Sequence, residues 1–362
     1  MNLDHSHFMR RALALAEQGR LGAHPNPCVG AVVVKNGKII AEGYHKTYGG
    51  PHAEVLALSK LKKKANGATL YLTLEPCTHF GKTPPCLPLV QESGVKEVFI
   101  ATRDPNPRVS GKGVLGLKKA KIKVSVGLEE ENARILNRSF FTAMKLGRPH
   151  VILKVASSLD GKIATSKGDS QWISSVDSRS LVHTLRAESD AVLIGVGTAI
   201  KDNPTLTSHG KGRNPLRIIL DPHLRAPLSL QLFNDQRAPT MVICSPSASA
   251  VKAKRLEKKG VQILRNSLKY GFFELSIFLK NMFKINVNQL LIESGNMTSW
   301  GFLQQRFIDE VYWFLAPLII GGKTSIPSVG GPGVPQVAKA IRLKSWSYRN
   351  SGNDLLIHGS FH

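Results

Sequence analysis

Four residues between positions 52 and 86 have the types and spacing to hold a metal ion and move a proton: His52, Glu54, Cys77 and Cys86. An imidazole and two thiolates are zinc ligands of matching softness. Three protein ligands leave a fourth position for water, which is the arrangement of a catalytic zinc site and not a structural one. Zinc lowers the pKa of a bound water toward about 7, so hydroxide becomes available near neutrality. Glu54 stands two residues after His52 at the expected start of a helix. It can face such a site without ligating, and a carboxylate there can carry a proton from water to a leaving amine.

His-x-Glu, then Pro-Cys after a strand, then a second cysteine is the pattern of zinc nucleobase deaminases. The generic pattern separates its cysteines by two residues. Here eight intervene, Thr78 to Pro85, and the inserted loop carries His79 and Lys82. Such a loop beside a zinc site reads as a recognition element. The structural alternative is two buried cysteines and a histidine capping a helix.

The elements that must position these residues follow an α/β pattern. Helices are expected at Leu3 to Gln18, Ala53 to Lys63, Pro85 to Ser93, Gly113 to Ala120 and Leu128 to Leu146. Apolar runs at Cys28 to Val34 and Lys38 to Tyr44 flank Asn36-Gly37, a strong hairpin signal. Strands are expected at Ala68 to Leu74, Lys96 to Ala101 and Ile122 to Val126. Gly147-Arg148-Pro149 then breaks the chain, and the domain boundary is placed there, giving domains 1–147 and 148–362. A second α/β series follows. Its expected strands are His150 to Ala156, Ala191 to Gly195, Leu216 to Leu220, Thr240 to Cys244, Val261 to Leu264, Gln289 to Ile292, Glu310 to Ala316 and Asp354 to His358. Its expected helices are Ser178 to Ala187, Ala248 to Lys259, Gly271 to Met282 and Thr298 to Arg306.

Composition narrows the class. The chain has 362 residues, 42% of them hydrophobic and 20% charged, which is ordinary globular composition. The N-terminus lacks the basic-then-apolar pattern of a signal peptide, and the apolar stretch Val311 to Ile320 is too short for a bilayer span and contains Pro317. Four cysteines in such a chain do not make a disulfide scaffold, so a reduced, cytoplasmic protein is expected. The formal net charge is +24, which raises nucleic acid, anionic membrane or phosphorylated substrates as partners. The charge is evenly spread, with 23 basic against 11 acidic residues up to position 148 and 26 against 14 beyond it. A nucleic-acid binder favours a clustered stripe.

Several motifs together resemble the bifunctional riboflavin-biosynthesis deaminase–reductase family. They are His24-Pro25-Asn26-Pro27-x-Val29-Gly30, Gly43-Tyr44-His45, Pro51-His52-Ala53-Glu54, the run Glu75 to Cys86 and Asp104-Pro105-Asn106-Pro107. In the second half they are Ser157-Ser158-Leu159-Asp160-Gly161, Ser170-Gln171-Trp172-Ile173, Leu185-Arg186-Ala187 and Asp202-x-Pro204-x-Leu206-Thr207. The resemblance covers essentially the whole chain in the family's domain order. It implies a cytidine-deaminase-like α/β/α sandwich followed by a dihydrofolate-reductase-like α/β domain. It also implies a two-step activity with Zn²⁺ and NADPH as cofactors. The first step is hydrolytic deamination of a diaminopyrimidinone carrying a ribosylamino 5′-phosphate. The second is reduction of the ribosyl group to ribityl.

By position, the resemblance assigns His52, Cys77 and Cys86 to the metal and Glu54 to proton transfer. Asn26, His45, His79 and Lys82 fall at contacts to the first substrate, some reaching its phosphate, where Lys and protonated His are suited. Lys154, Ser170, Arg186, Leu206, His209 and Glu293 fall at reductase substrate positions. Ala156, Trp172, Thr198, Asp202, Ser245 and Gly295 fall at the dinucleotide. A homo-oligomer, dimer or tetramer, is expected, with no nucleic-acid or membrane partner. Residues alone say less here: Val192 to Thr198 is a strand entering a Gly-x-Gly turn that fails the dinucleotide fingerprint, because Ile200 stands at the third glycine position. Trp172 could equally be core packing and Asp202 a turn residue.

Two departures from the family pattern stand out. The family usually has an arginine where this chain has His209, with Lys211 or Arg213 as possible substitutes. The family also favours Glu-Gly-Gly where this chain has Glu293-Ser294-Gly295, and a left-handed turn at Ser294 would be uncomfortable for a residue with a Cβ. Competing functions are a tRNA-type zinc deaminase, a zinc-stabilised binding module without turnover, and a deaminase with an impaired reductase domain.

Overall fold

The structure, a computed structural model, describes residues 4–107, 109–269 and 271–362. The chain divides into two compact units, one ending at Gly147 and one beginning at Arg148.

The first unit is built on a five-stranded sheet in the order Lys38–Tyr44, Gly30–Lys35, Thr69–Leu74, Glu97–Thr102, Lys123–Val126. The first two strands form the expected antiparallel hairpin, with Asn36 and Gly37 both at positive φ. This is the backbone that a two-residue Asn-Gly turn supplies. The last three strands run parallel. Thr69–Leu74 is buried along its whole length, so its period-two alternation divides between two cores. Leu70 and Leu72 join Ala31, Val33 and Ile100 on one face, with Ala53, Ala57, Val90 and Leu117 from three helices. Tyr71 joins Val32, Val34 and Ala101 on the other, with Phe8, Met9 and Ala12 of the helix His5–Glu17. The result is an α/β/α sandwich.

The second unit centres on a nine-stranded sheet. Its order is Gln262–Arg265, Thr240–Cys244, Leu216–Leu220, Ala191–Gly195, Gln289–Ile292, His150–Ser158, Glu310–Ala316, Asp354–Ser360, Ser345–Ser351. The first seven strands are parallel, and the last two add an antiparallel hairpin at one edge. Near-continuous apolar runs such as Val151-Ile152-Leu153 alternate between two cores, as a sheet covered on both faces requires.

Some expectations shift for physical reasons. The first helix begins at His5, with the Asp4 carboxylate accepting the His7 N–H as its cap; Leu3 lies outside the described residues. The expected helix from Leu128 to Leu146 is two helices, Glu130–Leu136 and Arg138–Leu146, broken at Asn137. The buried Asn137 amide accepts from the Cys28 N–H at 2.7 Å and donates to the Cys28 carbonyl at 2.9 Å. The helix at Ala53 stops at Leu58, and a 3₁₀ turn, Lys62–Ala65, follows. The helix expected from Gly271 starts at Leu275, because Phe272–Phe273 pairs with Leu268–Lys269. The strand Ser345–Ser351 was not expected at all: its Ser and Asn residues are poor strand formers by composition.

Candidate functional site

In the first unit, His52 occupies the position before the helix Ala53–Leu58, and Cys86 is the first residue of the helix Cys86–Glu92. Cys77 lies just beyond the strand Thr69–Leu74. Two helix starts and one strand end therefore converge, and the ligand atoms of the three residues lie within 4.8 Å of one another. The His52 Nδ1 stands 3.2 Å from Cys86 Sγ and 3.5 Å from Cys77 Sγ. Its far nitrogen, Nε2, meets Thr83 Oγ1 at 3.2 Å. With Nε2 held by that hydroxyl, Nδ1 is the ring nitrogen that faces the two sulfurs. The Cys86 N–H donates to Cys77 Sγ at 3.2 Å. The hydrogen bond from the Cys86 thiol pulls the Cys77 thiol down to about 4, while Cys86 is pushed up.

Glu54 is buried in the first turn of the helix Ala53–Leu58, and burial pushes its carboxyl up to about 6. Its Oε2 is buried without a hydrogen-bond partner. An orphaned carboxylate oxygen beside one imidazole and two sulfurs is a donor set that fits zinc together with a reacting water.

The loop between the cysteines lies beside this cluster. Its Lys82 ammonium sits 4.0 Å from the Tyr48 ring centroid, and the His79 Nδ1 is buried without a hydrogen-bond partner. His45 is buried edge-on to His52, with ring centroids 5.2 Å apart. Its Nδ1 lies 3.1 Å from the Pro51 carbonyl and must donate, so its Nε2 accepts from Asn26 Nδ2 at 3.2 Å. His45 is thus a fixed acceptor toward Asn26, with its pKa lowered chiefly by burial.

Glu75, which sequence reasoning treated only as part of a motif, is buried and organises the neighbouring loop. Its Oε2 accepts from the Gly111 N–H at 3.0 Å and the Asp104 N–H at 3.3 Å, and its Oε1 from the Val114 N–H at 3.0 Å.

In the second unit, a cavity of about 620 Å³ opens at the C-terminal ends of parallel strands, where open α/β sheets bind ligands. Ser170, Thr198, Asp202 and Gly295 all line it, together with Gly195, Arg225 and Asn296. Gly195 precedes the helix Val196–Asp202, so the expected glycine turn is a helix start. A Cβ added at Gly195 would lie 2.8 Å from Thr298 Oγ1. The Ser294 Oγ is buried without a hydrogen-bond partner. A glycine-walled cleft with an orphaned hydroxyl at its edge fits a dinucleotide such as NADPH. Ser294 is not among the residues at positive φ, so the conformational strain expected there is absent.

A charged cluster gathers other expected residues. Arg186 grips Glu293 with two bonds, Nε to Oε1 at 2.6 Å and Nη2 to Oε2 at 3.0 Å. Lys154 Nζ stands 3.9 Å from Glu293 Oε2. Burial would raise the Glu293 carboxyl, but Arg186 and then Lys154 hold it below the ordinary value. Burial lowers Lys154. His209, at φ 49°, stacks on His183 with ring centroids 4.0 Å apart. Burial, then His209 and Arg186, push His183 down to about 4. Burial, then Arg186 and Arg237, lower His209. Arg213, one proposed substitute cation, is spent on Asp190 at 2.7 Å.

The remaining expected residues scatter. Trp172 is 68% exposed with the Arg179 guanidinium 4.5 Å over its ring, so the core-packing alternative is excluded. The Leu206 side chain packs in the core, leaving only backbone to offer a ligand. Ala156 lies half-buried on the strand His150–Ser158, beside Phe314 and Leu356. Ser245 is buried, 3.0 Å from Ser247 Oγ. Thr83, Glu75, Arg225 and His183 were missed by sequence reasoning. Only His183 carried a signal, since it lies one helical turn before Arg186 on the same face.

A His/Cys/Cys cluster with a buried carboxylate defines a zinc-type hydrolytic deaminase, and the cleft of the second unit defines a nucleotide-dependent reductase. Residues 3–102 match the cytidine and deoxycytidylate deaminase zinc-binding region, and residues 149–357 match the RibD C-terminal domain. The riboflavin biosynthesis protein RibD of Aquifex aeolicus is 47% identical over 97% of this chain and 96% of its own length. That of Escherichia coli K12 is 36% identical over 97% and 98%. Among solved structures, Acinetobacter baumannii RibD superposes with a TM-score of 0.89 at 36% identity, covering 98% of both chains. A diaminohydroxyphosphoribosylaminopyrimidine deaminase/5-amino-6-(5-phosphoribosylamino)uracil reductase of Thermotoga maritima gives 0.85 at 39%, again covering 98% of both. The chain belongs to the RibD family of riboflavin biosynthesis proteins. It is a bifunctional deaminase and NADPH-dependent reductase.

Proposed function

We propose that residues 1–147 deaminate the diaminopyrimidinone ribosylamino phosphate and that residues 148–362 reduce its ribosyl group to ribityl. The observation that carries the first half is the convergence of His52, Cys77 and Cys86 beside the Glu54 carboxylate, whose Oε2 has no hydrogen-bond partner. His52, Cys77 and Cys86 would hold a zinc ion, which would supply there a water acidified toward neutrality. Glu54 would accept a proton from water and return it to the departing amine, as replacement of ammonia by water at the ring carbon requires. Its raised pKa suits a group that must both accept and give a proton. Thr83 fixes the ring of His52. Asn26 and His45 read polar atoms of the pyrimidine, and His79 and Lys82 face its phosphorylated arm.

In the second unit a bound NADPH would supply a hydride to the sugar carbon, and a proton taken up from solvent would complete the conversion of ribosyl to ribityl. Thr198, Asp202 and Gly295 hold the dinucleotide from the cleft wall, with Ala156, Trp172 and Ser245 at its margins. Glu293 holds Lys154 and Arg186 in register for the phosphorylated sugar, with Ser170, His209 and the backbone of Leu206 beside them. The protein works in the cytoplasm as a homo-oligomer on a phosphorylated small molecule and not on nucleic acid. Among the described residues no helix is long and apolar enough to cross a membrane.

The test is to incubate the pure protein with the diaminopyrimidinone ribosylamino phosphate, with and without NADPH. Ammonia release without NADPH, followed by NADPH oxidation once it is added, is the expected result. Absence of both signals from protein with stoichiometric zinc overturns it.

A further inference from the structure

Lys82 is exposed in the loop between Cys77 and Cys86, and among the described residues no carboxylate pairs with it. Its ammonium lies instead over the Tyr48 ring, 4.0 Å from the centroid, well inside the reach of a cation–π contact. The backbone is shaped for this approach. Gly49 stands at φ 78°, and a Cβ there would meet Lys82 Cδ at 3.2 Å. The turn that carries Tyr48 is held at two points. The Gly50 N–H donates to the Thr47 carbonyl at 2.9 Å, and the Tyr48 N–H donates to the Gly22 carbonyl at 2.9 Å. Both pieces hang from the candidate metal cluster. The turn lies between His45 and His52, and Lys82 immediately precedes Thr83, whose hydroxyl meets His52 Nε2. Tyr48 itself is 42% exposed and belongs to neither apolar core of this unit.

We propose that Tyr48 is a positioning residue for Lys82: its ring face orders the lysine for the substrate phosphate without neutralising it. This role rests on the placement of Lys82 at the phosphorylated arm given above. A lysine on its flexible four-carbon stem loses rotamer freedom when it binds an anion. Ordering it beforehand removes part of that cost. A carboxylate would also order it, but would compete with the phosphate for the ammonium's three N–H donors. An aromatic face attracts the charge and leaves the outward donors free for a doubly charged ligand. Tyr48 therefore supplies what an ion pair would take away.

The experiment is steady-state ammonia release by the full-length, zinc-loaded protein, with the diaminopyrimidinone ribosylamino phosphate and with its dephosphorylated form. Tyr48→Leu is expected to raise KM for the phosphorylated substrate about two- to fivefold, the loss of one cation–π contact at an exposed site. KM for the dephosphorylated form should stay where it was, and kcat should move less than KM. Tyr48→Phe keeps the ring face and should keep the wild-type KM. Lys82→Met should raise KM for the phosphorylated substrate about tenfold, and adding Tyr48→Leu to it should change nothing further. Tyr48→Thr repeats the test if the leucine variant loses its zinc. An unchanged KM in Tyr48→Leu while Lys82→Met is impaired overturns the role of Tyr48 alone. So does an equal loss on both substrates, a loss shared by Tyr48→Phe, or a full further loss in the Lys82→Met background. A Lys82→Met variant with the wild-type KM removes Lys82 from the phosphate and overturns that reading together with this one. No ammonia release from the wild type overturns the deaminase reading itself, and this role with it.

Discussion

The two sites are built on different principles. The deaminase centre is compact in sequence: its three metal-ligand candidates and Glu54 fall between positions 52 and 86, carried by two helix starts and a strand end. The proposed reductase site draws on residues from Lys154 to Asn296, brought together where parallel strands end. In the first, side-chain identity sets the chemistry, and one substitution removes it. In the second, a cleft lined by glycine and backbone shares the binding with a cluster of cations around one carboxylate. Losing one member there is expected to weaken binding without removing the reaction. The first site should therefore fail abruptly under mutation and the second by degrees.

The largest effect is expected at Glu54. Glu54→Gln keeps shape and ligands but removes proton transfer, and ammonia release should fall by roughly 10²–10⁴-fold. Zinc content by atomic absorption should be unchanged, as should NADPH oxidation with deaminated substrate. Loss of the metal instead would make Glu54 a structural residue.

A smaller effect is expected one contact further out. Thr83→Val removes the partner of His52 Nε2 at 3.2 Å. Zinc affinity, measured by competition with a chelator, should weaken about 10–100-fold, as for other partners of metal-bound histidines. An unaltered affinity would show that the ring is oriented by packing alone.

In the reductase site the change is graded. His209 has a lowered pKa and is neutral near pH 7, so it offers a phosphate little charge. His209→Arg should lower KM for the phosphorylated substrate by about tenfold, the effect of about 1.4 kcal/mol. It should also flatten a wild-type KM that rises with pH as His209 loses its proton. No change in KM would remove position 209 from the phosphate contacts.

The smallest expected difference is in stability against pH. Burial raises Asp104 in the first unit from 3.8 to about 6. Its contribution is full below 3.8 and is lost as pH rises toward 6. His183 in the second unit is lowered from 6.5 to about 4, chiefly by burial. Its unfolded form binds the proton first, so stability is lost as pH falls from 6.5 to 4. Thermal melts between pH 4 and 6.5 should show Asp104→Asn and His183→Asn changing the pH slope in opposite directions. Slopes that change in the same direction would break the contrast.

The same division governs what was legible in the sequence. His52, Glu54, Cys77 and Cys86 were readable because metal ligation demands rare residue types at local spacings. The parallel strands were readable because burial on both faces makes them continuous apolar runs such as Ala191–Gly195 and Gln289–Ile292. Asn137 was not readable as a break, because its partner, Cys28, lies 109 residues away. The role of Thr83 was equally hidden, since a hydroxyl in a Pro-rich loop has no periodicity to betray it. The cleft at Gly195 is defined by what approaches a missing Cβ, and residue types alone do not report that. Ser345–Ser351 was missed because strand patterns presuppose a buried face, and this strand has none.

The central claim is that two chemistries reside at two separate centres, one dependent on the His52/Cys77/Cys86 cluster and one independent of it. The direct measurement takes chelator-stripped protein and assays it twice, for ammonia release from the diaminopyrimidinone substrate and for NADPH oxidation with the deaminated product. The expected result is no ammonia release, restored by added zinc, and an unchanged rate of NADPH oxidation. Persistent ammonia release from metal-free protein, or loss of NADPH oxidation in a protein whose fold survives stripping, would contradict it.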